Sequence, residues 1–89
     1  MKVVILYRPN SENSRLVEDF AREFAQRYMD KKLELVSIDT RDGSATATLY
    51  DVMKYPTVLA LADDGQIIHE WQDSMPLLNE VSYYASSAA

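Results

Sequence analysis

Apolar and polar residues alternate at different spacings along the chain, and each spacing predicts a different element. Lys2 to Tyr7 (KVVILY) is a β-branched run with apolar residues on both faces, the pattern of a strand buried in the middle of a sheet. From Ser14 to Tyr28, the residues Leu16, Val17, Phe20, Ala21, Phe24, Ala25 and Tyr28 recur at helical spacing and predict an amphipathic helix of about four turns. Its opposite face carries Glu18, Asp19, Arg22, Glu23, Gln26 and Arg27. Asn10, Ser11, Asn13 and Ser14, just before the stripe, are all N-cap residue types. Leu33 to Asp39 (LELVSID) alternates as a strand does, so the first part of the chain reads as a βαβ unit with parallel strands.

The second part continues with a shorter helix over Ser44 to Val52, carrying Ala45, Ala47, Leu49 and Tyr50 against the poor helix formers Thr46 and Thr48. Thr57 to Ala62 (TVLALA) and Gln66 to Trp71 (QIIHEW) predict antiparallel strands, because the Asp63-Asp64-Gly65 link ends in an Asp-Gly pair that tolerates positive φ. Ser74 is expected to cap the last helix, with Pro76 in its first turn and Leu77, Leu78, Val81, Tyr84 and Ala85 along one face. Ser86 to Ala89 are expected to fray. The order is βαβαββα in one domain over residues 1–89: an α/β fold with a four-stranded mixed sheet and helices on both faces.

Composition narrows the chemistry more than it names it. The chain is long enough for one core and too short for two, and with 47% hydrophobic and 26% charged residues it has ordinary globular usage. The longest apolar run, Val3 to Tyr7, is far short of the roughly 20 residues a membrane span needs. No signal-peptide pattern follows Lys2, so the expected address is the cytoplasm. A net charge of -5 repels polyanions, which argues against nucleic acid and anionic membranes as partners. With no cysteine there is no disulfide, no thiolate ligand and no thiol nucleophile; His69, the one histidine, cannot build a zinc site without several carboxylates. No cofactor is expected.

Local stretches in the chain carry a family resemblance. Tyr50-Asp51-Val52-Met53-Lys54-Tyr55-Pro56-Thr57, followed by Val58-Leu59-Ala60-Leu61, resembles the thioredoxin segment in which a helix ends in Tyr and a Pro-Thr pair opens an antiparallel strand. Tyr7-Arg8-Pro9-Asn10-Ser11-Glu12-Asn13-Ser14 is similar to the glutaredoxin segment where a strand ends in Tyr and a C-x-x-C motif opens the first helix. Here the cysteine places read Ser11 and Ser14. The resemblance to the thioredoxin-like superfamily covers nearly the whole chain, lacking only the N-terminal strand and helix of full thioredoxins. It implies a thioredoxin-like fold and a cis bond before Pro56. It does not imply the redox activity, because a serine hydroxyl stays protonated at neutral pH and cannot replace the attacking thiolate.

On that fold, the loops Arg8 to Ser14, Met53 to Pro56 and Trp71 to Ser74 are expected to meet at one end of the sheet. The resemblance implies that the residue before the proline, Tyr55, offers its backbone N–H and C=O to an extended ligand. Arg8, Ser11, Ser14, Tyr55, Pro56 and Trp71 are the candidate ligand-binding residues, with Tyr7 and Met53 as further apolar contacts. Plainer duties compete with each. The serines are good helix caps, worth about 1 kcal/mol; Pro56 serves a structural turn; the tyrosines pack; His69 is a surface histidine; and the aspartates sit in turns.

The leading functional reading is a non-redox binding or scaffold module that contacts an extended peptide or a protein partner. Cysteine-free members of this fold class such as the KaiB-type clock proteins, which work by protein association, are a similar case by fold analogy. An alternative is a glutathione-binding domain in which Ser11 hydrogen-bonds the thiol while Arg8 and Tyr55 hold the tripeptide, although the helical domain of glutathione transferases is missing. A further alternative is a thiol-disulfide oxidoreductase in which both cysteines have been replaced by serine. The oligomeric state is left open.

Overall fold

In the computed structural model, which describes residues 1–87, the elements in chain order are β1 (Lys2–Tyr7), α1 (Ser14–Arg27), β2 (Lys31–Lys32), β3 (Glu34–Ser37), α2 (Arg41–Leu49), β4 (Thr57–Leu61), β5 (Ile67–Gln72), α3 (Leu78–Tyr84) and β6 (Ser86–Ser87). β1 pairs in parallel with β3 on one side and antiparallel with β4 on the other, and β5 closes the order β3-β1-β4-β5. The two inner strands are buried on both faces, which is why their sequences are continuous apolar runs.

Strand alternation divides that apolar content between two layers. Val3, Ile5 and Val58 face α1 and α3, packing with Val17, Phe24 and Val81. Val4, Leu6, Leu59 and Leu61 face α2, packing with Ala47 and with Val52 just beyond that helix. Phe24 is 1% exposed, so its truncation to Ala would cost about 3–5 kcal/mol. Both faces of the sheet are therefore covered, and the loops at its ends are left to present chemistry.

Several boundaries differ from the sequence expectation for identifiable reasons. The strand expected over 33–39 is shorter at both ends, because Leu33 turns into the α1/α3 layer and only Glu34–Ser37 pairs with β1. Lys31–Lys32 instead pairs with Ser86–Ser87, and the Lys31 ammonium donates to the Ser82 carbonyl of α3 at 2.6 Å. Ser86 and Ser87, expected to fray, are thus held in a ladder; residues 88–89 lie outside the described residues.

α2 begins at Arg41 rather than Ser44, because the Thr40 hydroxyl accepts the Gly43 N–H at 2.9 Å and caps it there. Thr46 and Thr48 fit inside this helix by donating their hydroxyls back to the carbonyls of Asp42 and Ser44. α3 begins at Leu78, not at Ser74 and Pro76. Glu80 accepts the Leu77 N–H at 3.1 Å, fixing the start, while Met75 turns into the α1/α3 layer and holds the preceding segment out of helix.

Candidate functional site

At the end of the sheet where β1 stops and β4 begins, the chain before β4 is anchored at Pro56 and Thr57. Pro56 is buried and the Tyr55–Pro56 peptide bond is cis. Proline has no N–H to satisfy, and its carbonyl accepts the Asp73 N–H at 2.9 Å from the loop after β5. The buried Thr57 hydroxyl donates to the Lys54 carbonyl at 2.6 Å. The Tyr55 hydroxyl reaches the Val52 carbonyl at 3.3 Å. Like Met53 before it, Tyr55 has neither its backbone N–H nor its C=O paired among the described residues, and of the two Tyr55 is the one fixed against the buried Pro56.

Beside that backbone lies a groove of about 290 Å³, walled by Tyr7, Arg8 and Ser11 on one side and by Met53, Tyr55 and Pro56 on the other. The Arg8 guanidinium carbon stands 5.8 Å from the centroid of the Tyr55 ring, within cation–π range. Arg8 pairs with no carboxylate among the described residues, so this groove carries a cation free to meet an acidic ligand group.

The two serines do not cap α1 as expected. Ser11 donates its hydroxyl to the Arg8 carbonyl at 2.6 Å, and Ser14 donates to the Ser11 carbonyl at 2.9 Å. Both act as donors toward the preceding chain, whereas a cap must accept from an N–H ahead. The N-cap position falls to Asn13, which makes no side-chain cap bond. Asn10, in the left-handed region at φ 60, lies within the turn that the Ser11–Arg8 bond closes.

Of the sequence candidates, the structure brings Arg8, Ser11, Tyr55 and Pro56 to one groove, and it places Ser14 and Trp71 elsewhere. Ser14 is half-buried behind the loop. Trp71 is opposite Val58 and so shares the face that meets α1 and α3. There it stacks on exposed His69 with centroids 4.2 Å apart and meets the edge of Tyr84 at 5.8 Å. A second groove of about 320 Å³, not anticipated from the sequence, lies on the other side of Tyr55 against Ile38, Thr48, Asp51 and Val52. The signal for it in the sequence is slight: Met53, an apolar residue in a loop, is 78% exposed and lines both grooves.

Among the described residues no cluster of His, Asp and Glu side chains is arranged to hold a metal ion, and no helix is long and apolar enough to cross a membrane.

No protein-family model and no curated protein sequence matches the chain. Among solved structures, thioredoxin 1 from the thermophilic eubacterium Thermosipho africanus matches 94% of this chain and 93% of its own, with a TM-score of 0.69 at 14% identity. The correspondence runs nearly end to end, and at that identity it shows the fold. The chain has a thioredoxin-like fold, a mixed four-stranded sheet with helices on both faces, and it has no cysteine. Attack on a disulfide needs a thiolate, so this sequence lacks the nucleophile of thiol-disulfide exchange.

Proposed function

We propose that this chain is a non-redox binding module that receives an extended segment of a partner protein along Tyr55. The observation that carries this reading is the unpaired Tyr55 N–H and C=O set beside a groove of aromatic and apolar side chains. An extended peptide placed there gains main-chain hydrogen bonds from Tyr55, while Tyr7, Met53 and the Tyr55 ring receive its side chains. Pro56 and Ser11 shape the walls, and Arg8 supplies a cation for an acidic group on the ligand.

Titrating isotope-labelled protein with extended peptides tests the reading through its amide resonances. Tyr55 and Ser11 to Ser14 are expected to shift together; shifts confined to another face would overturn it. Binding of glutathione through Ser11 is the weaker reading, because the Ser11 hydroxyl proton is already given to the Arg8 carbonyl at 2.6 Å and a bound thiolate would have to displace it. Calorimetry showing heat with reduced glutathione at millimolar concentration would reverse that ranking.

A further inference from the structure

Tyr55 and Met53 line both grooves at this end of the sheet, so the two form one trough with these side chains at its middle. Its ends differ in charge. At one end stands Arg8, exposed and without an ion-pair partner among the described residues. At the other stands Asp51, also exposed and unpaired among the described residues, held at φ 55 just past the end of α2. The last turn of α2 contains no basic residue, so the partial negative charge of its carbonyl end adds to Asp51 rather than being offset within the helix. Between the ends, the trough is floored by Val52 and Tyr55 and overhung by the pliable thioether of Met53.

We infer that this trough selects an extended partner segment by polarity: an acidic residue at the Arg8 end, apolar residues over Tyr55 and Met53, and a basic residue at the Asp51 end. The inference rests on the reading of Tyr55 given above and adds to it the charge pattern of the partner. A second copy of this chain is a poor occupant, since two molecules of net charge -5 repel each other. Lys54 and Glu12 are exposed on the same loops but line neither groove, so solvent screens them from a bound segment more than it screens Arg8 or Asp51. Rim charges of this kind fix register and orientation more than they raise affinity.

The test uses two short capped peptides of identical composition around one apolar centre. One carries aspartate first and lysine last; the other has those residues exchanged. Their affinities are measured at low salt by amide titration of the labelled chain. One peptide is expected to bind on the order of tenfold tighter than its isomer, a preference that shrinks at high salt. The charge reversal Arg8→Glu with Asp51→Lys is expected to invert the preference. The neutral pair Arg8→Gln with Asp51→Asn, in which asparagine tolerates the positive φ of position 51, is expected to abolish it and serves if the reversal does not fold.

Equal affinities in the parent chain, or a preference that survives both variants while the Tyr55 amide still shifts, would overturn the polarity assignment and leave the Tyr55 reading standing. Failure of either peptide to move Tyr55 would remove both. Concentration-dependent broadening of Tyr55 and Asp51 resonances without peptide would assign the trough to a second copy and overturn the inference.

Discussion

The Tyr50 hydroxyl donates to the Gly65 carbonyl at 2.7 Å, tying the end of α2 to the β4–β5 turn. Gly65 itself sits at φ 89 and closes the turn with a bond from its N–H to the Ala62 carbonyl at 2.9 Å. Tyr50→Phe is expected to cost about 1 kcal/mol, the worth of one neutral hydrogen bond. Gly65→Ala is expected to cost about 1–2 kcal/mol from the left-handed backbone alone, since an added Cβ meets only the Tyr50 hydroxyl at an ordinary 3.5 Å. Urea unfolding checks both.

Gly43 makes a sharper demand. A Cβ there would fall 1.8 Å from the Ser37 carbonyl oxygen, so α2 packs against the end of β3 only because this position has no side chain. Gly43→Ala is expected to destabilise by about 3 kcal/mol, the upper part of the overpacking range. Thr40→Ala, which removes the cap on the Gly43 N–H and the hydroxyl's own bond to the Ser37 carbonyl at 2.8 Å but adds no atom, is expected to cost about 1–2 kcal/mol. Equal losses in the two variants, measured by urea unfolding, would contradict this account of the α2 start.

How much of this was legible in the sequence depended on whether the deciding contact was local. β1 and β4 were readable because burial on both faces leaves continuous apolar runs, and the β4–β5 turn because Asp64-Gly65 carries its own backbone preference. The later start of β3 was not, since the alternation of Leu33, Leu35 and Ser37 includes Leu33 while the pairing of Lys31–Lys32 with Ser86–Ser87 is decided far away in sequence. Ser74-Met75-Pro76 has good helix-start chemistry, yet the burial of Met75 and the Glu80 bond to Leu77 move the start to Leu78. At the site, Tyr55 was marked by Pro56-Thr57. Trp71 was misplaced because its side of the sheet follows from pairing with Val58, a register that no local pattern reveals.

The Met1 ammonium lies 2.6 Å from the Asp63 carboxylate. Its hydrogen bond, and then its charge, hold the Asp63 carboxyl below the ordinary value of 3.8. A depressed carboxyl favours the folded state above the unfolded value, and that contribution disappears as pH falls through the lower folded value. Asp63 is fully exposed, so the effect is weakened by salt. Carboxyl-carbon NMR at low salt is expected to place the Asp63 midpoint below 3.8, and to return it toward 3.8 when the N-terminus is acetylated. A midpoint indifferent to acetylation would contradict the assigned cause.

Met53 separates binding from stability. It is 78% exposed and packs into neither layer, so Met53→Ser is expected to change unfolding free energy by no more than about 0.5 kcal/mol. The same change removes the apolar overhang shared by both grooves and is expected to weaken peptide binding at Tyr55 several-fold. Unfolding curves and peptide titrations on one sample check the pair.

The most direct measurement is amide hydrogen exchange at Tyr55, with and without a saturating extended peptide. An open N–H that acquires a strand partner is expected to exchange rapidly in the free protein and to slow markedly on binding. Slow exchange before any ligand is added, or a rate that saturation leaves unchanged, would contradict the claim that this backbone is the one a partner pairs with.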